Sequence, residues 1–318
     1  MVQNITIVGV GWMGKGIAQV CAQGGYDVLL HDINEEALKQ SQEGIRSGLS
    51  YMVEKELLSE GDVEPALSRI RSTTSLEEAM KVTDLVIEAV PEVLDLKKEV
   101  FNKMDKLCGE QTILASNSST LSTTAIASAT SKPERVVGMH WFYPAYIMPP
   151  VEVIKGARTS DLTANTVKDF LLKLKKMPVV CKEVPGFLIN RLQMVLFNEA
   201  ASLLEQGVAT AEDIDNAARM SLGLRLPFWG PLKIEDLVVP KNMLLRGFEY
   251  LYQQTGSDRF RPTELMKEKV RKGEIGLISG KGYYDYTKEP SGAVARERDE
   301  MVIKQLKFLA ELGYAKFP

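Results

Sequence analysis

Two side chains in the stretch GMHWFYPAYIMPPVEVI, Gly138 to Ile154, have the chemistry of a proton-transfer pair. His140, one of the two histidines in the chain, ends a strand-like segment, and Glu152 lies 12 residues later in the next such segment. An imidazole is a common general base near neutral pH, and a carboxylate on its other nitrogen favours the protonated ring during turnover. A histidine before an aromatic loop is by itself more often a packing residue. The pair therefore predicts catalysis only if another motif indicates a reaction.

A glycine-rich loop near the start of the chain indicates such a reaction. Gly9, Gly11 and Gly14 have the G-x-G-x-x-G spacing between a strand-like segment and a helix. These glycines permit a tight turn, close approach to a pyrophosphate and close packing of the helix, whose N-terminus then faces the phosphates. Asp32 lies 18 residues after Gly14, where an acid binds the adenosine ribose and disfavours the 2′-phosphate of NADP. We therefore predict NAD as the cofactor, with Met13 of the same loop beside it.

The predicted cofactor favours catalysis over packing for His140. A dehydrogenase must take up a hydroxyl proton as the hydride leaves, so it needs a base near the reacting carbon. His31 adjoins Asp32 at the adenosine end and is predicted to be a bystander. His140 is then the predicted base and Glu152 its partner. The alternative, a glycine-rich turn without a ligand, would leave the histidine as a packing residue.

The elements that must position these residues alternate between strands and helices. Four helical segments are predicted: Lys15–Gln23, Asn34–Glu54, Leu94–Lys106 and Ser122–Ala129. Six strands are predicted: Asn4–Val10, Asp27–Asp32, Asp84–Val90, Thr112–Asn117, Arg135–Trp141 and Val151–Gly156. The near-continuous apolar centres of the first four strands suit a parallel sheet that is buried on both faces. This pattern predicts an α/β fold with a Rossmann-type, doubly wound N-terminal domain.

The sequence changes character after the segment Pro178–Phe187. Two amphipathic helices follow, one ending at Gly207 and the next beginning at the N-cap Thr210. We therefore predict three regions. These are an NAD-binding domain (1–184), a mostly α-helical substrate domain (185–288) and a C-terminal helical extension (289–318).

Composition excludes several classes of function. The 318 residues are 45% hydrophobic and 25% charged with a net charge of −3, so we expect neither nucleic acid nor a membrane surface as partner. We expect no transmembrane helix, because no apolar run approaches about 18 residues, and no signal peptide, because a strand-like segment begins at once. Three cysteines without a CxxC pair and two histidines favour neither a disulfide framework nor a zinc site. We expect a cytoplasmic protein.

From about Asn4 to Tyr286 the sequence resembles the 3-hydroxyacyl-CoA dehydrogenase family. The resemblance rests on several motifs in the family's order: the nucleotide loop with Asp32, VIEAVPEVLDLKKEVF, ILASNSSTLS, GMHWFYP with PPVEVI, VPGFLINRL and SGKGYYDY. It implies NAD-dependent interconversion of L-3-hydroxyacyl-CoA and 3-ketoacyl-CoA, a place in fatty acid metabolism, and a homodimer formed through the C-terminal domain.

The resemblance also implies roles for individual residues. His140 matches the family's general base and Glu152 its partner. Ser119 matches a serine that contacts substrate and nicotinamide, and Asn190 an asparagine that completes the site. Three further positions match residues of the NAD site: Glu92, Lys97 and Asn117.

Four of these residues also have structural interpretations. Without the resemblance, Ser119 would equally cap the helix that starts near Ser122. Asn190 would make a local hydrogen bond in a first helical turn. Glu92 and Lys97 would belong to a solvated helix start.

Four features depart from the acyl-CoA enzymes and leave the substrate open. Tyr143 replaces the asparagine of HFFNP, while Tyr146 and Pro149 resemble the branch of λ-crystallin, an L-gulonate dehydrogenase, and carnitine dehydrogenase. The segment SLGLRLPFWGPLK resembles the same branch. Where CoA enzymes often carry paired lysines for the CoA phosphates, this chain has Lys55 between two glutamates.

Three functions follow from this evidence. The substrate is a CoA thioester, with Lys55 as a weak phosphate contact, or a small free 3-hydroxy acid, with Arg225 holding its carboxylate bidentately. The segment RFRPTELMKEKVRKGEIGLISGKGYYDY follows the acyl-CoA enzymes and favours the first. Arg225 would otherwise be a surface residue at a helix end. The third possible function is that of a binding or structural protein on a dehydrogenase scaffold. It is disfavoured because all four predicted catalytic residues are present.

Overall fold

The structure, a computed structural model, describes residues 2–288 and 290–315. The chain divides into two compact units, Met1–Phe197 and Asn198–Pro318. Among the described helices, none is both long and apolar enough to span a membrane.

The first unit is built on a single sheet. In the described residues its strands β1 to β8 are Asn4–Val8, Asp27–His31, Ile70–Thr73, Leu85–Glu88, Ile113–Ser116, Val136–Trp141, Pro150–Lys155 and Met177–Lys182. Their order in the sheet is β3-β2-β1-β4-β5-β6-β7-β8, and the pairs from β3 to β6 are parallel. Strand β7 is antiparallel to β6, and β8 is parallel to β7. The strand order reverses between β1 and β4, which is where open α/β sheets bind ligands.

Helices cover both faces of this sheet. Helices α1 to α8 are Trp12–Gln23, Glu35–Glu54, Val63–Ser68, Leu76–Met80, Leu94–Leu107, Thr123–Ala127, Asp161–Lys173 and Ile189–Glu205, the last of which continues into the second unit. Alternate residues of a strand point to opposite faces. Accordingly, Leu85 and Ile87 of β4 belong to one apolar cluster, while Val86 belongs to a second that includes Phe101 of α5. The predicted doubly wound architecture is confirmed.

The second unit is helical. Its further helices α9 to α13 are Ala211–Ser221, Pro231–Val238, Lys241–Thr255, Glu264–Arg271 and Ser291–Glu311. Its buried apolar cluster is formed by Trp229, Ile234, Leu237, Leu277, Tyr286 and Val294. The predicted mostly helical C-terminal region is confirmed.

The first unit contains two strands and three helices, α3, α4 and α7, that the sequence prediction lacked. The sequence prediction missed β3 and β8, which are the two edge strands of the sheet; half of their residues are exposed and the other half are only partly buried. The first compact unit extends to Phe197, and the start of α8 is bonded to Glu152 of β7; the domain boundary at residue 184 stays a prediction. Within the predicted extension 289–318, Val294 joins the core of the second unit, so the described part of this extension packs as part of that unit.

Candidate active site

The glycine loop between β1 and α1 is shaped for close approach. Gly9 has φ +92°, and a Cβ there would come within 2.8 Å of the carbonyl carbon of Ala89. A Cβ on Gly14 would lie 1.9 Å from the Gly9 carbonyl oxygen, so α1 can approach the loop only with glycine at that position. In the described part of the chain, no atom beyond Gly11 and its two neighbours lies within 4 Å of the Cβ position of Gly11, the N-cap of α1. This open space in front of a helix N-terminus fits the pyrophosphate of NAD.

Asp32 lies beside this loop, directly after β2. Its Oδ2 accepts a hydrogen bond from the amide of Val10 at 3.1 Å, and its Oδ1 accepts one from the amide of Asn34 at 3.1 Å. Asp32, Gly9 and Gly11 line a cavity of about 940 Å³. The amides of Val10 and Asn34 thus orient the carboxylate where an adenosine ribose would lie, and the residues present fit the cofactor.

A second cavity of about 460 Å³ brings together most of the other predicted site residues. Seven of them line it: Met13, Glu92, Lys97, Asn117, Ser119, His140 and Asn190. They come from the start of α1, the segments that follow β4 and β5, the first turn of α5, the end of β6 and the first turn of α8. The parallel strands therefore deliver these side chains to one edge of the sheet.

Glu152 lies behind His140 and fixes its ring. The two residues are direct partners across the antiparallel β6–β7 pair, and side chains opposite each other in such a pair share a face of the sheet. The Glu152 Oε2 lies 2.8 Å from the His140 Nδ1, and both side chains are buried. With Nδ1 engaged by the carboxylate, Nε2 is the ring nitrogen left for proton exchange.

The other oxygen of Glu152 holds the start of α8. Oε1 accepts hydrogen bonds from the amides of Leu188 at 2.9 Å and Ile189 at 2.8 Å. Burial alone would raise the pKa of Glu152, but the hydrogen bonds from His140 and the two amides outweigh it and lower the pKa. Glu152 is therefore an ionised carboxylate that positions both the predicted base and the helix that carries Asn190.

Ser119 and Asn190 are joined directly. The Asn190 side-chain amide donates to the Ser119 carbonyl oxygen at 2.9 Å, so its bond is long-range in sequence and not local. The cap of α6 is Ser122, whose hydroxyl accepts from the Ala125 amide at 3.0 Å. The capping interpretation of Ser119 is therefore wrong, and both residues belong to the cavity wall.

Asn117 connects β5 to the aromatic loop after β6. Its Oδ1 accepts a hydrogen bond from the amide of Trp141 at 2.9 Å. The same loop places the Phe142 ring 4.4 Å from the His140 ring, centroid to centroid. The aromatic segment that surrounds the histidine in sequence thus packs around it in the fold.

Lys97 is deeply buried, with 1% of its side chain exposed, so the interpretation as a solvated helix start is wrong for this residue. Its ammonium group lies 2.6 Å from Glu88 Oε1 and 3.4 Å from Glu92 Oε2. Glu88, at the end of β4, is a residue that sequence reasoning missed. The available signal was an acid within the apolar run VIEAV.

Glu92 is held by the turn that contains Ser119. Its Oε1 accepts from the Ser118 hydroxyl at 2.6 Å and from the amides of Ser119 at 2.9 Å and Thr120 at 3.0 Å. Burial would raise the pKa of Glu92, but these donors and the nearby Lys97 lower it to about 2. Glu92 is thus a fixed negative charge in the cavity.

Two aromatic residues form the rim of the same cavity. Trp12 is 72% exposed and Tyr143 is 58% exposed, and their rings meet edge to face with centroids 6.0 Å apart. Tyr143, which departs from the family's asparagine, therefore belongs to the wall of the cavity that His140 lines.

Lys55 and Arg225 are not among the residues that line either cavity. Lys55 follows α2, and its ammonium group lies 2.6 Å from Glu54. Arg225 belongs to the second unit, where its Nε donates to the Ser221 carbonyl oxygen at 3.0 Å. Their roles in substrate binding stay predictions.

Comparison with known proteins places this geometry among dehydrogenases. The family model "3-hydroxyacyl-CoA dehydrogenase, NAD binding domain" matches residues 4–184, and "3-hydroxyacyl-CoA dehydrogenase, C-terminal domain" matches residues 186–286. A probable 3-hydroxybutyryl-CoA dehydrogenase of Bacillus subtilis (strain 168) is 38% identical over 290 residues, covering 91% of this chain and 99% of the relative.

Two solved structures extend the comparison. A 3-hydroxyacyl-CoA dehydrogenase from Archaeoglobus fulgidus superposes with a TM-score of 0.81 at 35% identity, covering 97% of this chain and 99% of its own. A 5-formyl-3-hydroxy-2-methylpyridine 4-carboxylic acid 5-dehydrogenase, described as an NAD+-dependent dismutase, superposes with a TM-score of 0.70 at 32% identity, covering 95% of this chain and 97% of its own.

Proposed function

The chain belongs to the 3-hydroxyacyl-CoA dehydrogenase family and is an NAD-dependent enzyme, and we propose that it interconverts L-3-hydroxyacyl-CoA and 3-ketoacyl-CoA. The observation that carries the proposal is the buried His140–Glu152 pair. It lies at a cavity that Ser119 and Asn190 also line, beside the nucleotide loop. The glycine loop and Asp32 would hold NAD, which would supply the hydride acceptor for the C3 carbon.

His140 is the proposed general base. In the neutral ring the Nδ1–H group donates a hydrogen bond to Glu152 and keeps its proton. Nε2 is therefore unprotonated and can take the hydroxyl proton of the substrate. The positive charge that then forms on the ring is stabilised by the ionised Glu152, whose pKa is lowered. The reverse reaction uses the same nitrogen as a general acid.

Ser119 and Asn190 are proposed to orient the substrate oxygens. Both line the cavity with His140, and a serine hydroxyl and an asparagine amide are neutral donors suited to a carbonyl oxygen. The carboxamide of Asn190 is already held by the Ser119 carbonyl oxygen, which limits its motion. Asn190 then needs little reorganisation when substrate binds, whereas the Ser119 hydroxyl, which donates to Glu92 Oε1 at 3.3 Å, would rotate towards the substrate.

The alternative substrate is a small free 3-hydroxy acid. Tyr143 on the cavity rim, in place of the family's asparagine, favours it, and the name of one structural relative describes a pyridine carboxylic acid. In this proposal Arg225 holds the substrate carboxylate, and Lys55 has no role. In the first proposal Lys55 is a weak contact for the CoA phosphates.

Steady-state assays with NAD would separate the two substrates. We expect saturable NADH formation from L-3-hydroxybutyryl-CoA and a much lower kcat/KM for L-gulonate and carnitine. Saturable activity on free acids alone would reject the thioester. In that case Arg225→Ala should raise the KM for the acid, and an unchanged KM would reject Arg225 as the anchor.

A homodimer through the second unit is also proposed. This unit exposes large apolar side chains, among them Met243 at 60% and Tyr250 at 62%. Light scattering of the purified chain should give about twice the monomer mass of 35.3 kDa, and a monomer mass would reject the dimer. The cytoplasmic location stays a prediction.

A further inference from the structure

We propose that Glu88 and Lys97 are positioning residues that hold Glu92 and, through it, the turn of Ser118–Thr120 that carries Ser119. The inference rests on the proposed function, in which Ser119 and Asn190 orient the substrate.

The ammonium group of Lys97 is surrounded by acceptors from the protein. An ammonium carries three N–H donors. Three acceptors surround the Nζ atom: Glu88 Oε1 at 2.6 Å, the Val90 carbonyl oxygen at 3.2 Å and Glu92 Oε2 at 3.4 Å. The first two contacts are hydrogen bonds and the third is an ion pair, and only 1% of the side chain is exposed. The cation is thus bound within the protein, although it lies at the cavity wall.

Glu88 fixes the position of that cation. Its side chain is 0% exposed and accepts three hydrogen bonds, from the Lys97 ammonium, the Val90 amide at 2.7 Å and the Ser116 hydroxyl at 2.7 Å. A buried carboxylate with three donors at the end of β4 cannot move without breaking them. Glu88 therefore anchors Lys97 to the sheet.

Glu92 transmits this anchoring to the active site. Its Oε2 faces Lys97, and its Oε1 receives the Ser118 hydroxyl and the amides of Ser119 and Thr120. The Ser119 carbonyl oxygen in turn accepts from Asn190. Hydrogen bonds and ion pairs therefore connect the sheet to Ser119 and Asn190, the two residues that would orient the substrate.

The two possible roles of Lys97 predict different losses. Without the ammonium, Glu92 loses the cation that holds its Oε2, and in Lys97→Met the unpaired carboxylate of Glu88 also repels it; the loss of the cation is enough to free Glu92 from the turn. If Lys97 has a positioning role, its loss therefore lowers kcat and weakens the hydrogen bonds that the amides of Ser119 and Thr120 donate to Glu92. A direct cofactor contact would instead weaken NAD binding.

The test compares Lys97→Met and the charge-balanced double variant Glu88→Gln/Lys97→Met with the wild type. For both variants we expect kcat with acetoacetyl-CoA and NADH to fall about tenfold or more, the size usual for lost second-layer support. We expect the Kd for NADH, from fluorescence titration, to change less than about threefold. Amide hydrogen exchange at Ser119 and Thr120 should become faster in both variants.

Three results would overturn the inference. They are a kcat within about twofold of the wild type in folded Lys97→Met, unchanged exchange at the two amides, or a loss confined to the Kd for NADH. Absence of wild-type turnover would instead reject the proposed function, and the exchange measurement would still test the positioning role.

Two further variants address folding. Lys241→Met in the second unit also unpairs a buried carboxylate, that of Asp236, and we expect a lower melting temperature with unchanged kcat. An equal loss of kcat in this control would overturn the inference. If Lys97→Met does not fold, Ser118→Ala replaces it, because this variant removes one hydrogen-bond donor to Glu92. It should speed amide hydrogen exchange at Thr120 and lower kcat. Unchanged values of both would overturn the inference.

Discussion

The two units each contain a fully buried lysine–carboxylate pair, and the pairs differ in what surrounds them. In the first unit Lys97 pairs with Glu88, and a second carboxylate, Glu92, lies 3.4 Å away with 36% of its side chain exposed. In the second unit Lys241 pairs with Asp236, and both side chains are 0% exposed. The first cluster thus reaches a cavity, whereas the second is closed.

The segment GKGYYDY closes the second cluster. Asp236 accepts hydrogen bonds from the amides of Tyr283 at 3.1 Å and Tyr284 at 3.0 Å and from the Tyr286 hydroxyl at 3.2 Å. A Cβ on Gly282 would lie 2.1 Å from an oxygen of Asp236, so only glycine permits this approach. The aromatic ring of Tyr283 also covers the Lys241 ammonium at 4.0 Å.

The difference between the two clusters shows how a functional site can be distinguished from a purely structural contact. GKGYYDY is as distinctive in sequence as the histidine segment, yet its contacts converge on a carboxylate that solvent does not reach. The histidine segment also buries an acid, Glu152, but that acid holds a ring that lines a cavity. We therefore expect changes in the closed cluster to reduce stability and changes at the cavity to reduce turnover.

The largest effect is expected for Asp236→Asn in the closed cluster. The free energy of unfolding should fall by about 3–5 kcal/mol, because Lys241 would remain buried without its counter-charge. Urea unfolding would measure this loss. Turnover per folded molecule should not change, and a fall in kcat at unchanged stability would contradict the structural assignment.

At the cavity, His140→Gln should lower kcat by about 10²-fold or more, because glutamine cannot take up the proton. That loss corresponds to about 2.7 kcal/mol of transition-state stabilisation. The free energy of unfolding and the Kd for NADH should stay near the wild-type values. Steady-state turnover near that of the wild type would reject His140 as the base.

A smaller effect is expected at the cofactor cavity. Asp32→Ser should raise the ratio of kcat/KM for NADP over NAD by roughly tenfold, because it removes a negative charge that repels the 2′-phosphate. Kinetics with both cofactors would measure the ratio. An unchanged ratio would mean that Asp32 does not face the adenosine ribose.

The smallest effect concerns acid stability. The pKa of Glu92 is about 2 in the folded chain against an ordinary value of 4.5, so its stabilising contribution is complete above pH 4.5 and is lost as the pH falls towards 2. Glu92→Gln removes this titration. Its free energy of unfolding should therefore fall less steeply over that range, as chemical unfolding at several pH values would show. Equal slopes would contradict the ionised, hydrogen-bonded state of Glu92.

The sequence allowed the fold class and part of the site to be predicted. The spacing of the three loop glycines and the acid after β2 indicated the nucleotide site, because both reflect local backbone and charge requirements. The order of His140 and Glu152 on successive strands indicated a pair. In these cases the chemistry is carried by neighbouring residues and regular spacing.

Other features depend on contacts between distant segments. Glu152 meets the amides of Leu188 and Ile189, 36 and 37 residues later, because β7 reverses direction after the aromatic loop. No local pattern indicates that reversal. Glu88 and Lys97 resemble ordinary charged residues until the fold buries them together.

The protonation of His140 tests the account most directly. The chain has two histidines, so ¹⁵N labelling of histidine gives two rings, and His140→Gln assigns them. For the neutral ring of His140 we predict a protonated Nδ1, hydrogen-bonded to Glu152, and an unprotonated Nε2. A neutral ring with the proton on Nε2 would leave no basic nitrogen for the substrate and would contradict the proposed mechanism.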